Sequence, residues 1–363
     1  GLVSGDKLAK LLESEMVASN PELRSQIFRV AADAPSFPST TVAKAIQSSS
    51  VREQYFALLA FKRHGDPLDK DLIIKLIQQN DGKDLYLRHA AIEALTKLDA
   101  QTLGGFHSHK SEEMQLCAVV ALRRIKAPEI HRFLNAESDA VSTEAALGIH
   151  DDFSIPPALP FLAKALESSS NSSNAFILRA IHANARMGKS ENASRIAQWA
   201  SDGTKSEEQR LFALKRLFEW SSPPSLDAVT GRFRSSLDRR AGISVISRAI
   251  EPFIEALLSA ESTKVQASTM QLSRAFNLTP SDEILLQLIK QESADESVRI
   301  AALHALADEK GMVSNRDILH AGLRSNSSKL RVAAMRYAAA TEPNALTTAL
   351  GFLQSDSLIE RQE

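Results

Sequence analysis

The chain is poor in residues on which many small folds and catalytic sites depend. Its 363 residues include 14 glycines, 13 prolines, one cysteine, two tryptophans and three tyrosines. Glycine and proline together make up about 7% of the chain, below a usual ~12%, which favours a mostly helical chain. The lone Cys117 excludes an internal disulfide framework, a zinc site with two or four cysteine ligands, and Cys-x-x-Cys-His haem attachment within this sequence.

Charge of one sign is also not in excess. There are 43 Lys and Arg residues against 44 Asp and Glu residues, for a net charge of −1, whereas a dedicated nucleic-acid binder normally carries a basic excess. No run of 18 apolar residues occurs, so no membrane span is predicted. The first residues have the pattern of neither a signal nor a transit peptide. With 44% hydrophobic residues, general disorder is excluded.

A short pattern recurs along almost the whole chain. A capping residue is followed three positions later by an aliphatic residue, which we expect to point into the core, and then by a polar marker residue, which we expect to turn outward. The markers are Arg24, Arg52, Arg88, Gln115, Ser142, Arg179, Arg210, Gln266, Arg299 and Arg331, and Gln209 departs from the aliphatic rule. Caps are expected at Ser48 for Arg52, and at the weak position Ala175 for Arg179. The mean spacing of about 31 residues fits two short helices and two turns.

Small residues recur three positions after the markers, where they would let neighbouring helices approach closely. They are Ala91, Ala118, Ala145, Ala213, Ala302 and Ala334. Apolar residues seven positions after four of the markers extend the same helix face. No segment alternates with period two over a useful length, so no sheet is expected.

The segments 84–95 and 295–306 resemble the HEAT repeat family most clearly. The resemblance implies an all-α fold, an α-solenoid or superhelix of about eleven HEAT-like helical hairpins. We therefore expect a single HEAT-like domain over 1–363, with an irregular or degenerate repeat near 225–260. The last segment begins another hairpin and stops inside its second helix, so we expect a fragment of a longer chain.

Residues 144–163 and 218–234 are similar to a narrower group. This is the HEAT region of large multidomain planctomycete and verrucomicrobial proteins, described as membrane-bound dehydrogenases or haem-binding proteins. In that family a sugar-dehydrogenase-like propeller precedes the HEAT region and a c-type cytochrome domain follows it. This sequence contains neither a propeller nor a Cys-x-x-Cys-His haem motif, so no catalytic or haem-binding residue of that family can be assigned to it. The resemblance implies a bacterial protein in a periplasmic or extracytoplasmic location.

The sharpest metal-like spacing is His107 and His109 followed by Cys117. Two imidazoles and a thiolate could ligate zinc, but a free cysteine beside an apolar helix face is usually a small buried hydrophobe. We therefore predict no metal site and no cofactor. His89, His150, His182 and His304 lie in predicted helices, with no acid or nucleophile at a suggestive spacing.

The densest basic run offers a possible interaction patch. It consists of Arg232, Arg234, Arg239, Arg240 and Arg248. These arginines could grip phosphate or an acidic partner; alternatively they are solvated or paired locally around a degenerate repeat, which we favour.

The marker arginines could line one groove for a ligand. The alternative, which we favour because they recur at nearly every step, is that each bonds a carbonyl or carboxylate of the next repeat. Trp199 and Trp220 could anchor a partner, but the apolar runs before them favour the core.

The sequence favours a non-catalytic scaffold or protein-interaction domain, one that could link propeller and cytochrome domains of a larger redox protein. Its expected partners are proteins or flanking domains of the same polypeptide, without nucleic acid and without membrane insertion. The first alternative is a nucleic-acid-binding protein similar to the HEAT-like DNA alkylation repair glycosylases. A second is an enzyme resembling the HEAT-type phycobilin lyases.

Overall fold

The computed structural model describes residues 4–234, 243–309, 315–341 and 345–362. Those residues form 23 α-helices and five 3₁₀ segments. They contain no strand, only one isolated antiparallel bridge between Leu226 and Phe233. The predicted all-α solenoid is confirmed: consecutive helices pair into hairpins, and within each unit second helices pack on one another, as α3, α5, α7 and α9 do in the first unit and α17, α19 and α21 in the second.

Contacts between Cα atoms group the chain into two compact units, Gly1–Ala183 and Asn184–Glu363. The single domain over 1–363 stays a prediction. The helices of the first unit are α1 (Gly5–Leu12), α2 (Glu15–Ala18), α3 (Pro21–Ala31), α4 (Ser39–Ile46), α5 (Val51–His64), α6 (Lys70–Asn80), α7 (Leu85–Leu95), α8 (Ala100–Gly105), α9 (Glu112–Arg124), α10 (Asp139–His150), α11 (Leu159–Ser168) and α12 (Asn174–Met187), within which the division falls. Its 3₁₀ segments are Pro67–Asp69, Phe106–Ser108, Pro128–Phe133 and Pro156–Ala158.

The second unit continues the same alternation of helices. Its helices are α13 (Ser190–Ser201), α14 (Glu207–Phe218), α15 (Ile243–Ile250), α16 (Ile254–Leu258), α17 (Thr263–Phe276), α18 (Asp282–Lys290), α19 (Glu296–Glu309), α20 (Asn315–Leu323), α21 (Ser328–Thr341), α22 (Ala345–Phe352) and α23 (Leu358–Gln362), with a 3₁₀ segment at Glu251–Phe253. Across the described residues, eleven helices occupy the second position of a hairpin: α3, α5, α7, α9, α10, α12, α14, α17, α19, α21 and α23.

The second helices begin at side-chain caps, as the pattern predicts. The capping oxygen accepts a hydrogen bond from a backbone N–H in the first turn, which satisfies a donor that the helix itself leaves unpaired. Confirmed caps are Asn20, Asp84, Ser111, Ser138, Ser206, Ser262 and Ser327. Two predicted caps are wrong: Ser50 caps α5 in place of Ser48, and Ser173 bonds the N–H of Phe176 where Ala175 was expected.

The small residues after the markers lie where the hairpins meet. All six predicted alanines are fully buried. Ala334 also packs within its own hairpin, where a Cβ added at Gly322 of α20 would lie 2.6 Å from the Ala334 Cβ in α21. A larger side chain at either position would push the two helices apart.

Marker side chains hold the turn inside several hairpins. Four of them donate to the carbonyl oxygen six residues earlier, just before the second helix begins, and Arg361, which occupies the marker position of α23, does the same. These bonds are Arg24 to Ala18, Gln115 to His109, Gln266 to Ala260, Arg331 to Ser325, and Arg361 to Ser355. Four markers are buried, namely Ser142, Arg210, Gln266 and Arg299, so the expectation that markers turn outward is wrong for them.

Acidic residues tie successive hairpins of the second unit together. Glu207, at the start of α14, accepts from the Ser262 hydroxyl at 2.7 Å and from the Lys264 ammonium at 2.9 Å. Glu296, at the start of α19, repeats this with Ser327 at 2.6 Å and Lys329 at 2.9 Å. Each acid thus binds the cap of the next second helix.

The predicted irregular region near 225–260 lies partly outside the described residues, which omit 235–242. Residues 221–234 contain no helix. The buried Asp227 accepts from the backbone N–H groups of Val229 and Thr230, and Gly231 adopts a positive φ of 67°. These bonds close a tight loop between α14 and the described start of α15.

Candidate functional site

Three marker arginines bond a carboxylate of the following hairpin, which is the structural role that the sequence analysis favours. Arg24 donates to Glu53 at 3.0 Å, Arg88 lies 2.8 Å from Glu113, and Arg331 donates to Glu360 at 2.5 Å. The three carboxylates are nearly buried. These guanidinium groups are used in packing.

The other two predicted arginines differ from this scheme. Arg52 pairs with Glu22 of the preceding hairpin at 3.4 Å, and both side chains are more than half exposed, so the pair adds little stability. Arg299 is buried and donates to the Ile289 carbonyl at 2.9 Å, and to Glu292 and Ser325 at 2.8 Å. It binds within its own hairpin as well as to the next.

The possible interaction patch is only partly described, since Arg239 and Arg240 lie outside the described residues. Arg234 pairs with the buried Asp227 at 2.6 Å, so its charge is used within the loop. Arg232 is exposed. Arg248 is exposed and donates to the Ser244 carbonyl of its own helix at 3.2 Å. The patch as a binding site stays a prediction.

The structure does not bring the three metal candidates together. The ligand atoms of His107, His109 and Cys117 do not all lie within 4.8 Å of one another. His107 Nδ1 lies 2.9 Å from the Gly104 carbonyl oxygen, and His109 Nδ1 accepts from the Ser111 N–H. Cys117 is buried in α9, and burial followed by the nearby Glu113 charge raises its pKa to about 12.

A buried polar cluster lies where α10 and α12 meet. His150 Nε2 is 2.8 Å from His182 Nδ1, and His150 Nδ1 is 2.8 Å from the Asp151 carboxylate. Arg179, one turn before His182, donates to both Asp151 oxygens at 2.9 and 2.8 Å. The His150 side chain is fully buried.

The charges of this cluster determine where the hydrogen atoms lie. Burial alone raises the pKa of Asp151, but hydrogen bonds from His150 and Arg179 and the Arg179 charge outweigh burial and hold that pKa well below its ordinary value. Because the ionised carboxylate only accepts, His150 Nδ1 carries a hydrogen. One hydrogen lies between His150 Nε2 and His182 Nδ1 and joins the two rings.

The chemistry of the cluster is therefore the ordering of protons along buried hydrogen bonds that join two helices. The sequence analysis did not predict this cluster. The acid, Asp151, directly follows His150, and the second histidine, His182, lies in a different helix. The available signal is the 32-residue interval between His150 and His182. That interval is about one repeat, so it places the two histidines on adjacent hairpins.

The tryptophans divide between core and surface. Trp220 is fully buried, as predicted. Trp199 is half-buried, and the Lys205 ammonium lies 4.4 Å from its ring centroid, a cation–π contact.

No helix among the described residues is both long and apolar enough to cross a bilayer.

No protein-family model matches the chain, and no curated protein matches it. Among solved structures, it is similar to an engineered protein at 18% identity, over 92% of this chain and 97% of that one, with a TM-score of 0.36. A model of the full-length AP-3 complex shares 10% identity over 96% and 75%, with a TM-score of 0.31. A second engineered protein shares 16% identity over 75% and 96%, with a TM-score of 0.21.

Proposed function

We propose that the chain is a scaffold or protein-interaction domain built from HEAT-like hairpins, with no catalytic group of its own. In the context implied by its sequence resemblance, it links a sugar-dehydrogenase-like propeller to a c-type cytochrome domain of a larger redox protein. The observation that carries the interaction role is an exposed apolar edge at the last hairpin.

This C-terminal edge consists of Leu350, Leu353, Leu358 and Ile359, which are between 45% and 61% exposed. Leu350 lies eleven residues before the marker Arg361, as Leu288 lies eleven before Arg299, yet Leu288 is 1% exposed. Exposed apolar side chains grouped in this way support burial against another protein surface.

The paired marker arginines support a protein partner over nucleic acid. Nucleic-acid binding draws its affinity from guanidinium and ammonium groups that reach phosphates. Arg24, Arg88 and Arg331 are instead engaged by carboxylates. No observation in the described residues favours the alternative of a DNA alkylation repair-like glycosylase.

The test is site-specific photo-crosslinking of the whole protein in its native host. A benzophenone amino acid replaces Leu353 at the C-terminal edge and, as the control, Lys75 in α6 of the first unit. The proposal expects one protein adduct at 353, absent at 75 and lost when Leu358→Asp is added. Equal adducts at both positions, or an adduct unaffected by Leu358→Asp, would refute it.

A nucleic-acid arm completes the test. A fluorescent 20-base-pair DNA duplex is titrated with the protein at low and physiological salt. Because the net charge is −1 and these three marker arginines are paired, we expect no binding that falls steeply with salt. Salt-dependent binding would instead favour the nucleic-acid alternative.

A further inference from the structure

A cleft of about 510 Å³ lies within the second unit, between the C-terminal half of α17, the turn after it, and α19. The helix α17 is followed by its C-cap Asn277, which adopts the left-handed conformation with φ 51° and donates its N–H to the Ser273 carbonyl. The turn through Thr279 and Pro280 then leads to α18. This turn closes one end of the cleft.

The cleft exists because one wall carries small side chains. Ala301 and Ala305 lie one turn apart on α19 and line the cleft together with Met270 of α17. Leu278 and Pro280 complete an apolar floor, and Met270 and Leu278 are 7% and 9% exposed. A cleft of this volume with an apolar floor suits the body of a small organic ligand.

The rim is polar and made chiefly of hydrogen-bond donors. Arg274, Asn277, Thr279 and His304 line it and are exposed. No acidic residue lies among the described residues that line the cleft. Within the described part of the chain, the Arg274 guanidinium also forms no hydrogen bond or ion pair, unlike Arg24, Arg88, Arg299 and Arg331.

We propose that this cleft binds a small organic carboxylate, whose apolar body lies on the alanine–methionine floor while its carboxylate is held by Arg274. A guanidinium binds a carboxylate through two parallel N–H···O bonds. The His304 ring, the Asn277 amide and the Thr279 hydroxyl can donate to the same group. The proposal is independent of any partner at the C-terminal edge.

The test titrates octanoate into the whole protein labelled with ¹³C at the methionine methyls. The chain has six methionines, and Met270→Leu assigns the reporter signal from the cleft. Met114, fully buried in α9, serves as an internal reference. Octanoate should shift the Met270 signal saturably and leave Met114 unchanged.

Two variants and two further ligands make the test specific. Arg274→Gln should weaken octanoate binding about tenfold, the usual scale for a lost charge-assisted bond. Arg248→Gln removes the same charge from an exposed position of α15 in the same unit and should change nothing. Ala305→Leu fills the cleft and should abolish the shift without lowering the unfolding temperature. Octanol and inorganic phosphate, which lack the charge and the apolar body respectively, should each bind more weakly than octanoate.

Several outcomes would overturn the proposal. It fails if the Met270 signal does not respond to octanoate, or if Arg248→Gln weakens binding as much as Arg274→Gln. Octanol binding as tightly as octanoate would show that Arg274 does not hold a carboxylate. Phosphate shifting the signal as strongly as octanoate would show that the apolar floor contributes nothing.

Discussion

Replacing Leu87 by alanine tests whether each hairpin is stabilised mainly by its neighbours. Leu87 is 5% exposed in α7, which packs against α5, α6 and α9. The change removes three carbon atoms, worth roughly 2.4 kcal/mol at ~0.8 kcal/mol for each buried group. The cavity left behind raises the expected loss to about 2.5–4 kcal/mol.

The same helix supplies a matched control. Leu85 is 67% exposed, so Leu85→Ala makes the identical chemical change with little loss of buried surface. We expect it to cost less than about 0.5 kcal/mol. Urea unfolding followed by circular dichroism measures both losses.

Hydrogen exchange then shows how far the damage extends. In a repeat protein each hairpin contacts its neighbours, so exchange in Leu87→Ala should accelerate in α5, α7 and α9 while α19 and α21 stay protected. Equal costs for Leu85→Ala and Leu87→Ala would refute the packing argument. Equal acceleration in every helix would refute the nearest-neighbour description.

Three further predictions concern the polar interior. Arg88→Ala should cost about 1–3 kcal/mol in urea unfolding, because it leaves the Glu113 carboxylate without its cation; a loss below 0.5 kcal/mol on that scale would contradict the pairing. Asp151→Asn should cost about 3 kcal/mol at pH 7 by leaving Arg179 unpaired. The pKa of Asp151 is lower in the folded protein than in the unfolded chain. The contribution of Asp151 to the free energy of unfolding is therefore complete above the unfolded pKa of ~3.9 and is lost as the pH falls toward the folded pKa. The gap between variant and wild type should therefore narrow below about pH 4 in thermal melts, and a constant gap would contradict this. Cys117, with its pKa raised to about 12, should react with a thiol reagent at pH 8 only after unfolding, and rapid labelling of the folded protein would contradict its burial.

The repeat could be predicted from the sequence because it rests on local interactions. A cap such as Ser111 and a buried alanine such as Ala118 follow from backbone donors and helix spacing, which act within a dozen residues. The predicted cap Ser48 is wrong because three consecutive serines, at 48–50, could each cap α5, and only the folded chain shows that Ser50 accepts from the Glu53 N–H.

The buried markers, the histidine pair and the cleft could not be predicted, because they depend on contacts between hairpins that the repeat pattern does not encode. The direction of a marker side chain depends on which carbonyl or acid lies nearby, so burial of Gln266 and Arg299 could not be read from the repeat. The His150–His182 pair depends on the register between two hairpins. The carboxylate cleft is lined by Ala301, Ala305 and Met270, a juxtaposition set by packing between hairpins.

The most direct test of the scaffold proposal is hydrogen exchange at the C-terminal edge, in the protein alone and in the assembly captured by crosslinking at 353. Alone, the backbone of α22 and α23 should exchange quickly, because Leu350, Leu358 and Ile359 are exposed. In the assembly, exchange there should slow at least about tenfold, as for amides that become protected, while α6 is unchanged. Identical rates at the edge in both samples would contradict the proposal.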